Sequence, residues 1–178
     1  MKQYYLVSQL PDISNAERAL AITESYYRDL CSRFLSKAEV EVLNALSLVP
    51  PKEPFPTGSK FLDAWYDRER SLRFALAQVR AQRMKRDAPQ VPPSCTADIM
   101  QAARTAVGMD SPLSAEKFLY EYRTGVLDNL RPLDSFSVDA VYEYGIRLLL
   151  TARMKKFNKE AGTLAYRNMY DSILGETI

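Results

Sequence analysis

Apolar residues return at three- and four-residue spacing along most of the chain, and the starts of the segments that carry them are marked by capping residues. Ser14 with Glu17, and Ser36 with Glu39, have the spacing at which two side chains each satisfy an orphan amide of a first helical turn. The first pair predicts a helix to about Ser32. The second predicts one ending before Pro50, with Val40, Val42, Leu43, Leu46 and Leu48 on its buried face.

Four Pro and one Gly between Val49 and Ser59 withdraw backbone donors and fix φ, so residues 49–59 are predicted as a loop. A helix over Lys60–Arg86 follows, with Leu62, Trp65, Leu72, Leu76 and Val79 on one face. Glu69 falls on that seam. It is either paired with an Arg of a neighbouring helix or placed at the seam's edge, and the edge is the expectation. Three Pro make residues 87–93 a second break.

Thr96 then caps a short helix that Gly108 is expected to end in the left-handed region. Asp110, Ser111, Pro112 and Ser114 offer alternative starts for a helix stopped by Pro132, whose apolar face is Phe118, Leu119, Tyr122, Val126, Leu127 and Leu130. Ser137 caps another beginning at Val138. There Asp139, Glu143, Arg147, Thr151 and Lys155 recur every four residues between apolar neighbours, which predicts a central helix with one narrow wet stripe. Gly145 inside it predicts a close approach by another helix. Gly162 and Gly175 bound a final helix with Leu164, Tyr166, Met169, Tyr170 and Leu174. The fold class is all-α: one domain over residues 1–178, a bundle of about six or seven helices.

Composition agrees, with 6 Gly in 178 residues. The chain has no His, which removes the side chain that does acid/base work near neutral pH, completes nucleophilic triads and most often ligates metals. Cys31 and Cys95 are not a C-x-x-C pair, so no structural zinc set can be assembled; each is read as a small core residue in a reducing compartment. The amino-terminal residues lack a signal-peptide core, and no stretch longer than ten residues lacks Asp, Glu, Lys or Arg, so a cytoplasmic location is expected and any membrane role works through a partner.

Gly58-Ser59-Lys60 has the last letters of a phosphate-binding loop but no upstream Gly, and is read as a linker end with Ser59 as a cap. Asp134 with Asp139, and Glu116 with Glu121, are carboxylate pairs, read as solvated helix faces because bundle metal sites add His. No catalytic residue, metal ligand or cofactor site is assigned, and no small-molecule substrate is expected.

Net charge is +2, from 24 bases and 22 acids, yet seven bases fall within residues 68–86: Arg68, Arg70, Arg73, Arg80, Arg83, Lys85 and Arg86. Glu69 is the one acid inside that span, with Asp67 and Asp87 at its borders. The residues proposed for partner binding are Arg70, Arg73, Arg80, Arg83, Lys85 and Arg86. Such a run is a solvated helix face, a grip on an acidic protein partner, or, less in keeping with the balanced charge, a nucleic-acid contact.

Tyr4-Tyr5-Leu6-Val7-Ser8-Gln9-Leu10-Pro11-Asp12 resembles the start of an uncharacterised bacterial family encoded beside V-type ATPase subunits and thought to stand in for the C-type connector of the stalk, the d-type in eukaryotes. Ala64-Trp65-Tyr66-Asp67-Arg68-Glu69-Arg70-Ser71-Leu72-Arg73 and the following residues to Arg83 are similar to its Trp-Phe-x-x-Glu segment and arginine run, with Ser71 and Phe74 where that family has Asn. Ser111-Pro112-Leu113, Ala115-Glu116-Lys117, Leu127-Asp128, Phe136-Ser137 and Val138-Asp139-Ala140-Val141-Tyr142 resemble its carboxyl third, continuing through Leu148–Arg153 and Gly162.

The resemblance implies a non-catalytic, all-helical component of a V-type ATPase, peripheral to the membrane, that couples the central rotor stalk to the proteolipid ring. From the residues alone, a stand-alone helical adaptor or RNA-binding module using helix 68–86 is the alternative. A metal-dependent hydrolase relying on carboxylates is the remaining one.

Overall fold

The Ser36–Glu39 box forms as the spacing requires: the Ser36 side chain accepts from the Glu39 amide, and the Glu39 carboxylate accepts from the Ser36 amide at 2.7 Å. The computed structural model describes residues 2–13, 20–51, 53–157 and 159–175. Eight helices occur among them: α1 Lys2–Val7, α2 Glu24–Ser32, α3 Lys37–Asn44, α4 Lys60–Arg83, α5 Ala97–Gly108, α6 Pro112–Leu130, α7 Val138–Lys155 and α8 Lys159–Gly175. The helix beyond the expected six or seven is α1.

Several boundaries differ from the sequence expectation. Ser14 and Glu17 lie outside the described residues; the helix that follows starts at Glu24, capped by Thr23, whose side chain accepts from the Tyr26 amide. Helix α3 stops at Asn44, well before Pro50. Leu46 is buried after that stop and the Ser47 amide donates to the Tyr66 hydroxyl, so tertiary contacts take over from helix bonds. On its face Leu43 is buried, whereas Val40, Val42 and Leu48 are partly covered.

Helix α4 ends at Arg83 because Lys85 adopts φ 53°, in the left-handed region. The amides of Lys85 and Arg86 turn back to the carbonyls of Gln82 and Ala81 at 3.1 and 3.0 Å. That is the Schellman closure, with lysine where glycine is usual. Gly108 was expected in that role for α5; it is instead the last helical residue, followed by an extended Met109. Thr96 occupies the N-cap of α5, but its hydroxyl bonds to Asp98 and not to a backbone amide. Gly162 lies inside α8, which begins at Lys159.

Two apolar clusters share α4 and α6. The larger one takes Phe61, Leu62, Trp65 and Tyr66 of α4, Val126 and Leu127 of α6, and residues of α1, α2, α3 and α7. The smaller one takes Leu72, Ala75 and Leu76 from further along α4, Leu119 from the start of α6, and Ile99, Ala102, Ala103 and Ala106 of α5. Cys31 is fully buried in the larger cluster, and half-buried Cys95 packs against the smaller.

Helix α7 is central, but its polar stripe is only partly wet: Glu143 and Arg147 border a hollow of about 570 Å³, while polar partners take up much of the rest. Glu143 and Thr151 are buried, Arg147 joins Glu143 at 2.6 Å and Asp128 of α6 at 2.7 Å, and Thr151 meets the Tyr120 hydroxyl. At its start Asp139 accepts the Ser59 hydroxyl at 2.6 Å, tying the first turns of α4 and α7 together. The stripe faces α6 and the start of α4, and polar partners there satisfy most of its groups. Asp139 is therefore no solvated acid, and Glu116 pairs with Arg153.

A Cβ built on Gly145 meets Leu46 Cδ1 and Tyr27 Oη at 2.8 Å, so the expected close approach is made by α2 and the residue after α3. Tyr27 cannot swing away freely, since its hydroxyl donates to the Val141 carbonyl at 2.7 Å. Gly125 of α6 has nothing within 4 Å of a built Cβ. Gly145→Ala is expected to destabilise the fold by about 1–3 kcal/mol through overpacking, and Gly125→Ala to stabilise it by about 0.5–1 kcal/mol. Urea unfolding of the two variants beside the parent checks both signs.

Candidate functional site

Helix α4 delivers the basic run, and its geometry sorts those bases into spent and available. Glu69 is 4% exposed, so it is not at the seam's edge. It accepts from Arg123 Nε and Nη2 of α6, each at 2.9 Å, and from Arg73 Nε one turn along α4 at 2.8 Å. Arg73 also donates to the Leu48 carbonyl at 3.1 Å, holding the chain after α3 against α4.

The other bases divide in the same way. Arg68 pairs with Asp98 at the start of α5, which also accepts from the Tyr122 hydroxyl at 3.0 Å. The Thr96 hydroxyl, against the opposing effect of burial, and then Tyr122 and Arg68 hold the Asp98 carboxyl below its usual range. Burial first and the bond to Asp98 second push the Tyr122 phenol up to about 12. Arg70 is mostly buried against the 49–59 loop, donating to the Pro51 carbonyl at 3.3 Å, with Asp67 at 3.8 Å. Arg83 donates to the Val107 carbonyl at 2.6 Å, bracing α4 against the end of α5.

Of the six proposed partner-binding residues, Arg70, Arg73 and Arg83 are thus engaged within the fold. Exposed Arg80 makes no ion pair among the described residues, and Lys85 and Arg86 sit exposed on the closing turn beyond α4. The six do not form one continuous surface.

The fold brings Arg73 and Arg80 into a cleft of about 300 Å³ with Arg123 of α6 and Arg153 of α7; Leu76, Ala77 and Leu119 are its apolar lining and Glu116 its one acid. Glu116 pairs with Arg153 at 3.2 Å. Four guanidiniums therefore meet two carboxylates, Glu69 and Glu116, leaving two positive charges. Arg123 and Arg153 were not proposed from sequence. A signal existed for the first: Arg123 lies four residues from Leu119 and three before Val126, a base on one apolar seam where Glu69 is an acid on another.

Two further features are apolar. A hollow of about 480 Å³ runs along α3 and the 49–59 loop, lined by Val42, Ala45, Val49, Phe55, Leu62 and Tyr66. Helix α8 exposes Tyr166, Met169, Tyr170 and Leu174 at half or more of their surface, with the Tyr166 and Tyr170 rings stacked at 6.2 Å. Among the described residues no group of three His, Cys, Asp or Glu could hold a metal ion, and no helix is long and apolar enough to cross a membrane.

Glu69→Ala is expected to cost about 3–5 kcal/mol, because it strands buried Arg123. Arg73→Ala, removing a more exposed partner, should cost about 1 kcal/mol. Glu69→Leu with Arg123→Met should recover much of the loss of the single change; chemical unfolding of all three decides. Burial pushes the Cys31 thiol up to about 11, and burial with the Asp98 charge raises that of Cys95. A thiol reagent at pH 8 should therefore modify Cys95 in the native chain and Cys31 on unfolding alone, with the Cys95 rate rising as pH increases. Comparison with family models, characterised proteins and solved structures gives no match to the chain.

Proposed function

We propose that this chain is a non-catalytic structural component of a V-type ATPase, resembling the C-type (eukaryotic d-type) connector, that couples the central rotor stalk to the proteolipid ring. The observation that carries the reading is the order of the resembling motifs along most of the chain, from Tyr4–Asp12 through Trp65–Arg73 to Val138–Tyr142.

The second and third of these motifs include residues of the core, whereas Tyr4 and Tyr5 of the first are exposed. Trp65 and Leu72 are buried at 1% exposure, Glu69 is the paired acid between the two clusters, and Val141 is fully covered beside Asp139, the partner of Ser59. Such positions support a shared helical framework. Partner recognition would then rest on the less constrained faces, of which the arginine cleft has the strongest charge.

The basic helix favours a protein partner over RNA. Binding of a nucleic-acid backbone draws on a row of unengaged bases, whereas Arg68, Arg70, Arg73 and Arg83 are held by internal acceptors.

Co-expression with the complete ATPase tests the proposal. Tagged chain is expected to purify with the central-stalk subunits and the proteolipid ring in near-stoichiometric amounts. Recovery of the assembled ATPase without this chain, or of the chain without stalk and ring, overturns it.

A further inference from the structure

Helices α4, α6 and α7 together build the surface that holds the arginine cleft. Beyond Arg123 and Arg153 a shallow dimple of about 10 Å³ lies among Tyr120, Leu150, Met154 and Phe157, sharing Glu116, Arg123 and Arg153 with the first. The Arg153 guanidinium lies over the Phe157 ring, 5.8 Å from its centroid. Phe157 is 42% exposed.

We propose that this surface receives an acidic segment of a protein partner, with carboxylates seated against Arg80 and Arg153 and an apolar side chain on Leu76, Ala77 and Leu119. The inference rests on the reading of the chain as a protein-coupling component and gives the chemistry of one contact.

Charge sets the sign. Glu69 and Glu116 neutralise two of four guanidiniums, so an acidic ligand completes the balance and a basic one is repelled. Preorganisation sets the strength. Arg73 and Arg123 are fixed by Glu69, so their remaining N–H donors are positioned without a further loss of side-chain freedom.

Composition selects a protein. Arginine, methionine and an aromatic ring above an apolar lining are the residues that dominate protein interfaces, where lysine is depleted. The lining of both hollows contains no lysine. Single-stranded nucleic acid needs a series of open aromatic platforms for its bases, whereas Phe157 is the one exposed ring here and Arg153 occupies one of its faces.

The test places a photo-crosslinking phenylalanine derivative at Ala77 in the full chain, co-expressed with the other ATPase components, with a control probe at exposed Tyr26 of α2. The expected result is a crosslink from position 77, absent from position 26, to a peptide with two or more Asp or Glu. Arg80→Glu with Arg153→Glu should reduce that crosslink at least tenfold, and Arg80→Lys should retain most of it. An unchanged thermal midpoint in each variant separates lost contact from lost fold.

No crosslink, a crosslink to a neutral or basic peptide or to nucleic acid, or one indifferent to charge reversal overturns the inference. If the chain purifies with stalk and ring while position 77 finds no acidic peptide, the cleft assignment fails and the coupling reading stands. If a charge-sensitive acidic peptide belongs to a protein outside the ATPase, the cleft assignment stands and the coupling reading fails.

Discussion

Guanidinium groups with good geometry let a carboxylate stay charged inside a helical bundle, where an unpaired charge taken out of water costs several kcal/mol. Glu69 is in that position. Three N–H donors from Arg73 and Arg123 converge on its two oxygens at the point where α4 passes from one apolar cluster to the other. The bidentate Glu69–Arg123 bond singles out one register, and Arg73 extends it through Leu48 to the chain leaving α3.

The same pair shapes the outer surface. Placing Arg123 with its guanidinium on Glu69 brings the rest of that side chain beside Arg80 and Arg153, so an internal structural bond also supplies one wall of the cleft. Arg147 of α7 likewise bridges buried Glu143 and exposed Asp128 of α6, a second arginine joining two helices at the edge of the interior. Arginine suits both places, since its planar fork satisfies two acceptors at once and remains charged when partly buried. Most of the chain's arginine excess near α4 is thus used for holding helices together, with a smaller share facing outward.

Much of the local structure was legible in the sequence because it depends on neighbours within four residues. Ser36 with Glu39, Ser59 and Ser137 start helices where their spacing says they should, and Ser111 proves to be the cap among the alternative starts near Pro112. The loops over 49–59 and around 87–93 follow from proline. What escaped were features decided by distant residues. The α7 stripe is largely taken up by partners on α6 and at the start of α4, and α3 stops early because Leu46 and Ser47 find tertiary partners. Helix α4 turns at Lys85, a residue that gives no signal for a left-handed backbone. The candidate site was half legible: Arg73 and Arg80 could be picked from one basic run, but Arg123 and Arg153 lie 43 and 73 positions beyond Arg80 in the numbering.

By itself the sequence determined the helical class, most capping positions, the proline breaks, the close packing at Gly145 and the lack of a histidine for acid/base or metal chemistry. These follow from backbone sterics, short-range hydrogen bonds and residue identity, none of which needs a partner element. The tertiary structure decided which charges are used up in the interior and which remain on the surface. That choice requires knowing which side chain stands opposite which, and only the packing of α4 against α5, α6 and α7 supplies it. The seven bases of residues 68–86 thereby became internal braces, a closing turn and one wall of a cleft completed by two arginines from other helices.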